Sequence, residues 1–187
     1  MSNIQFAIVG CGRIAQRHAE HISKMARLAA VCDIKHQRAD ELAAKHNCKA
    51  YSTLEDLLAQ ERSVDVIAVC SPNGLHAEHT IKGLRGGKHV LCEKPIALSA
   101  SEANDLVRVA GDHPRQKIME AFMYRHHPQW QWAMRVVQEG RIGDIQMVHC
   151  CFHFCDDNPA GILHHPEWGG GCLMDIGCYA VSTSRWL

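Results

Sequence analysis

Ile4-Gln5-Phe6-Ala7-Ile8-Val9-Gly10-Cys11-Gly12-Arg13-Ile14-Ala15 is the stretch that decides the fold. The apolar run 4–9 reads as a buried strand and Gly10-x-Gly12-x-x-Ala15 as a tight turn. Ile14, His18, Ile22 and Met25, spaced near four, mark the helix that the turn opens. The first glycine permits a sharp reversal, and the second lets backbone amides approach a pyrophosphate at the helix N-terminus. The small Ala15 lets helix and strand pack closely. Asp33 follows the next strand, 28–32, where a carboxylate can hold the hydroxyls of an adenosine ribose. Gly10, Gly12, Arg13, Ile14 and Asp33 are therefore expected to bind a dinucleotide. Asp33 would repel a 2′-phosphate and favours NAD; Lys35 and Arg38, close behind it, could reverse that preference and admit NADP.

Working outward, the same grammar repeats. Residues 36–46 suit a helix, and a short extended piece lies near 50–51. Ser52 or Thr53 caps a helix whose first turn carries Glu55 and Asp56, an acidic start that suits the helix dipole. Residues 64–70 read as a buried strand stopped by Ser71-Pro72-Asn73-Gly74. Helix 75–86, strand 88–92, helix 100–110 capped by Ser99, and strand 117–120 follow. Strands alternating with helices of this length mean βαβ units around a doubly wound parallel sheet, so residues 1–121 are expected to form a dinucleotide-binding Rossmann domain.

Beyond residue 121 the pattern changes. A helix is expected at 130–139, a long strand at 145–155, a loop rich in Pro, Gly and His, and an apolar helix from 172 to the last residue. One strand and two helices cannot close a core of their own. Residues 122–187 are expected to be the incomplete beginning of a second, α+β domain, and the chain a fragment or a truncated product.

Composition narrows the function. Lys plus Arg and Asp plus Glu number 20 each among 187 residues, so no basic field exists to draw in nucleic acid or an anionic membrane. No apolar run approaches the ~18 residues of a spanning helix, and the start MSNIQ lacks the regions of a signal peptide. A cytoplasmic protein with reduced thiols is the expectation, despite ten cysteines. On a strand, His149, Cys151, His153 and Cys155 would share one face, but spread over ~20 Å they cannot converge on one ion. No metal site is expected there, only a polar, partly buried sheet face.

Ser71-Pro72-Asn73-x-x-His76, then Gly87-Lys88-His89-Val90 and Cys92-Glu93-Lys94-Pro95, resemble the Gfo/Idh/MocA oxidoreductases. The likeness continues through Glu120-Ala121-Phe122-Met123-Tyr124-Arg125 and through residues 169–179, Gly-Gly-Gly-Cys-Leu-Met-Asp-Ile-Gly-Cys-Tyr. The resemblance implies hydride transfer between NAD or NADP and a sugar-like or polyol secondary alcohol or its carbonyl. It implies a homo-oligomer built through the second domain. By the same resemblance Lys94 would polarise the reacting oxygen, beside a cis-Pro95, with Asp175 and Tyr179 assisting proton transfer. Ser71, Asn73, His76, Glu93 and Arg125 would line the cofactor. Tyrosine at 179, where much of the family has histidine, is similar to the glucose–fructose oxidoreductase and dihydrodiol dehydrogenase branch. A nucleotide-sugar substrate stays open, as does a dinucleotide-binding protein without catalysis. The residues themselves agree on Lys94. It stands just past a strand's carboxyl end, where an ammonium can stabilise developing alkoxide charge.

Overall fold

The structure is a computed structural model that describes residues 4–159 and 161–187. It divides into two compact units, Met1–Glu120 and Ala121–Leu187. The first alternates strand and helix throughout: β1 (Gln5–Val9), α1 (Arg13–Met25), β2 (Arg27–Cys32), α2 (His36–His46), β3 (Lys49–Tyr51), α3 (Leu54–Gln60), β4 (Val66–Val69), α4 (His76–Arg85), β5 (His89–Cys92), α5 (Ala100–Asp112) and β6 (Ile118–Glu120). The strands form one parallel sheet in the order β3-β2-β1-β4-β5-β6, so the winding reverses between β1 and β4. That is a doubly wound Rossmann sheet, with its crevice at the switch point.

Alternation along the strands divides the core in two. Ala7, Val9, Cys32, Ile67, Val69 and Val90 point to the face covered by α3, α4 and α5 through Leu54, Leu57, Leu84 and Val109. Ile8, Val31 and Ala68 point to the other face, covered by Ala15, Ala19 and Ile22 of α1 and by Ala39 and Leu42 of α2. Both faces are buried, which is why the strands read as continuous apolar runs rather than alternating ones. Local chemistry sets the helix starts. Thr53 accepts from the Asp56 N–H at 3.1 Å and Ser99 from the Glu102 N–H at 3.2 Å.

Lys88 is buried. Its Nζ donates to the carbonyls of Arg62 at 2.9 Å and Val64 at 2.7 Å, and more weakly to Glu61, gathering the turn that follows α3. Burial holds its ammonium below the ordinary lysine value.

The second unit contains α6 (Pro128–Gln138) and α7 (Cys178–Trp186), the latter preceded by a π-helical turn, Leu173–Gly177. The strand expected at 145–155 does not form. Residues 145–158 have no regular secondary structure and 145–155 are exposed. A strand exists by pairing, and among the described residues this unit has no second strand to supply the ladder. His149, Cys151, His153 and Cys155 therefore do not make a partly buried sheet face. Only Cys151 Sγ and His153 Nδ1 approach each other, at 3.5 Å. Among the described residues no group of three or more His, Cys, Asp or Glu could hold a metal ion. All ten cysteines are free thiols, and among the described residues no helix is long and apolar enough to cross a membrane.

Candidate cofactor and catalytic site

Parallel register brings the chemistry to one edge. Val9 is paired with Cys32 and with Val69, and Val69 with Cys92. The residues that follow, Gly10, Asp33, Cys70 and Glu93, therefore emerge side by side at the carboxyl edge of the sheet.

The turn after β1 is tied down before any ligand arrives. Gly10 has φ +88°, and a Cβ on it would lie 2.6 Å from the backbone of Cys70 and Ser71. No L side chain fits there. Gly12 differs: a Cβ on it would meet nothing within 4 Å. The protein interior does not require glycine at 12, whereas an anion drawn to the amides at the start of α1 would. That helix start has no side-chain cap and no acidic residue in its first turn, so its first N–H groups face the crevice. Arg13 is exposed beside it and Ile14 packs under the turn. These features fit a dinucleotide pyrophosphate.

Asp33 is buried, at 8% exposure. Its Oδ2 accepts from the Cys11 N–H at 2.7 Å and its Oδ1 from the Lys35 N–H at 2.8 Å. The carboxylate thus links the glycine turn to the end of β2, and each oxygen keeps a further lone pair for ribose hydroxyls. Next to it opens a cavity of about 350 Å³ lined by Cys11, Gly12, Arg13, Gln16, Arg38 and Glu41. Two guanidiniums there make room for a 2′-phosphate as well as a bare ribose. Burial pushes the Cys11 and Cys32 thiols up to about 12, which leaves them unreactive.

Glu93, Lys94 and Pro95 follow β5, and the Lys94–Pro95 peptide is cis. Glu93 Oε1 lies 2.7 Å from His18 Nε2, with the two side chains 13% and 16% exposed, and Glu93 Oε2 accepts from the Lys94 N–H at 3.3 Å. Lys94 itself is half-buried. His76, at 1% exposure, lies between two carbonyls, with Nδ1 2.7 Å from Pro95 O and Nε2 2.8 Å from Ser71 O. Ser71 Oγ is held by His79 Nδ1 at 2.9 Å, and Asn73 opens the short 3₁₀ turn Asn73–Leu75 before α4.

In the second unit Tyr179 sits in an aromatic cluster, its ring edge-on to Phe122 at 5.4 Å and to Tyr124 at 6.1 Å. Arg125 lies over the rings of Phe122 and Trp186 and donates to Ser182 Oγ at 2.9 Å. Tyr124 shares that hydroxyl at 2.8 Å. Burial pushes the Tyr124 phenol up, but hydrogen bonds with Ser182, Arg125 and Thr183 and the Arg125 charge outweigh it and leave it below the usual tyrosine value. Asp175 lies on the π turn, four residues before Tyr179. A cavity of about 580 Å³ opens beside Tyr179, Trp130, Phe152 and Cys172.

Sequence reasoning missed the parts played by His18, Ser182 and Lys88. His18 carried a signal, since it interrupts the apolar stripe between Ile14 and Ile22. Ser182 carried none, being 57 residues from Arg125.

A family described as an oxidoreductase family with an NAD-binding Rossmann fold matches residues 4–122, and the GFO/IDH/MocA C-terminal domain matches residues 130–187. Among curated relatives, a D-xylose 1-dehydrogenase (NADP(+)) of Haloferax volcanii is 40% identical over 79% of this chain and 44% of its own length. An inositol 2-dehydrogenase of Rhizobium meliloti is 28% identical over 98% of this chain and 54% of its own. Among solved structures, the 3-ketoreductase KijD10 of Actinomadura kijaniata, in complex with NADP and TDP-benzene, superposes with a TM-score of 0.89. It is 30% identical, covering 98% of this chain and 57% of that one. The chain spans about half the length of the curated relatives it matches.

Proposed function

The chain belongs to the GFO/IDH/MocA oxidoreductase family, and from that premise we propose that it transfers hydride between NAD(P) and a secondary alcohol or carbonyl of a sugar-like or polyol substrate. The observation that carries this reading is the shared edge: Lys94 follows β5 at the same end of the sheet as Gly12, the uncapped start of α1 and Asp33. The nicotinamide, when bound, supplies or accepts the hydride. Gly10 and Gly12 let the turn wrap the pyrophosphate, and Asp33 orients the adenosine ribose while holding the turn in place. Lys94 donates a hydrogen bond to the reacting oxygen, which stabilises negative charge as the carbonyl is reduced. Tyr179, with Asp175 four residues before it on the same helical face, serves proton transfer and orientation. The arginines of the adenosine-side cavity support use of NADP as well as NAD. A nucleotide-sugar substrate is a second reading, favoured by the likeness to the ketoreductase bound to TDP-benzene.

Fluorescence titration with NADH and NADPH, followed by turnover of D-xylose, inositols and glucosides, tests the proposal. Asp33→Ala is expected to weaken NADH about ten- to a hundredfold, the worth of one charge-assisted hydrogen bond. Lys94→Ala is expected to lower kcat by about a hundredfold or more while NADH affinity holds. Full turnover in the Lys94 variant would overturn the mechanism.

A further inference from the structure

The Lys94 loop is braced from both faces of the sheet. α1 covers one face and supplies His18, whose Nε2 meets Glu93 Oε1 at 2.7 Å. α4 covers the other and begins with His76, whose ring reaches Pro95 O at 2.7 Å and Ser71 O at 2.8 Å. Between these anchors Glu93 turns back on the Lys94 N–H, and the Ile96 N–H is taken by Glu120 Oε1 at 2.8 Å. Lys94 thus lies in a loop with an imidazole on either side: His18 on the Glu93 side chain before it and His76 on the Pro95 carbonyl after it.

The burial of the His76 ring fixes what it can do. At 1% exposure, with a carbonyl against each nitrogen, His76 has no ring atom left for a ligand. Carbonyls only accept, so the ring is the donor, to one carbonyl as neutral imidazole and to both as imidazolium. Its contacts join the turn after β4 to the loop after β5, the two strand ends nearest the switch point on that side. Lysine carries four rotatable bonds, and its ammonium finds one place only if its backbone is fixed.

We propose that His76 and His18 are positioning residues: they act through Pro95 and Glu93 to hold Lys94, and His76 does not itself touch the cofactor. This rests on the reading of Lys94 given above.

The test labels the chain with ¹³C at lysine Cε and follows the Lys94 resonance, assigned with Lys94→Arg, while NADH is titrated by fluorescence. The unaltered chain is expected to show a Lys94 line displaced from those of exposed lysines and moved further by NADH. His76→Phe keeps the ring volume and removes the ring nitrogens that face the two carbonyls; His18→Ala frees Glu93. Each is expected to carry the Lys94 line to the exposed-lysine position and to abolish most of its response to NADH, with the dissociation constant changed by less than about threefold. His76→Gln should restore the line, because one carboxamide NH₂ offers two N–H groups to the two carbonyls. A purely structural histidine would give a different pattern, with NADH affinity and the dispersion of every lysine falling together.

The proposal is overturned if the line is unmoved in both His76→Phe and His18→Ala, or if Gln behaves as Phe does. Should His76→Phe not fold, His18→Ala decides, since the His18 side chain, 16% exposed, is less deeply buried than His76. A Lys94 line in the unaltered chain that ignores NADH would overturn the role given to Lys94, while the bracing would still be read from the variants.

Discussion

Gly10 and Gly12 stand two residues apart for opposite reasons. At Gly10 the demand is internal: φ is +88° and the backbone leaving β4 fills the space a Cβ would need. At Gly12 the space is open, and under the proposed function the demand comes from the dinucleotide. The two positions should separate stability from binding. Gly10→Ala combines a strained φ with a clash against fixed backbone and is expected to cost about 2–4 kcal/mol of stability, read in urea melts. Gly12→Val should leave the melting curve within about 0.5 kcal/mol, yet weaken NADH about tenfold or more. If Gly12→Val instead unfolds the chain, glycine is needed there for the fold and the open cradle loses its meaning. Asp33 shows how much a single residue discloses. Its place after β2 was legible because the strand and turn around it are local patterns. Its bond to the Cys11 N–H was not, because it closes only when two strands 22 residues apart lie in register.

Among the elements, β3 and α3 are joined by a small polar cluster with a pH signature. Tyr51 donates to Glu61 Oε1 at 2.5 Å, and Lys49 donates to the same oxygen at 2.6 Å. Burial and the Glu61 carboxylate push the Tyr51 phenol up to about 12. Burial alone would raise Glu61, but Lys49 and Tyr51 outweigh it and hold the carboxyl below its usual range. The signs follow. Glu61 binds its proton less readily folded than unfolded, so its contribution exists above the ordinary carboxylate pKa and is lost as pH falls through the depressed value. Tyr51 does the reverse: its contribution is intact below 10 and disappears as pH rises through about 12. Tyr51→Phe is expected to lose about 1–2 kcal/mol at neutral pH and to flatten the alkaline limb of the stability profile, and Glu61→Gln to flatten part of the acid limb. An unchanged alkaline limb in Tyr51→Phe would mean that other groups set it. The helix starts at Thr53, to within one residue, and at Ser99 were legible from sequence, since a cap is made within four residues. This cluster was not, because its members sit on different elements.

Across the whole chain, the parts that sequence disclosed are those made by local periodicity, and the parts it hid depend on distant partners. Continuous apolar runs interleaved with amphipathic helices sufficed for the parallel sheet. His18 and Glu93 are 75 residues apart, and nothing in either neighbourhood announces the other. The segment 145–155 shows the converse error. Its sequence reads as an extended apolar run, but a strand is a relation between two segments and no second one accompanies it in this unit among the described residues. Hydrogen exchange turns this into a measurement. Amides of β1, β2, β4 and β5 are paired on both sides and buried, so they should exchange last, at a rate set by opening of the first unit as a whole. Amides of 145–158 have no ladder to shield them and should exchange within the earliest time points, before those of α6 and α7. Slow exchange confined to 145–155 would mean that the segment finds a strand partner in solution. The period-two reading of its sequence would then describe the assembled protein better than the isolated fold does.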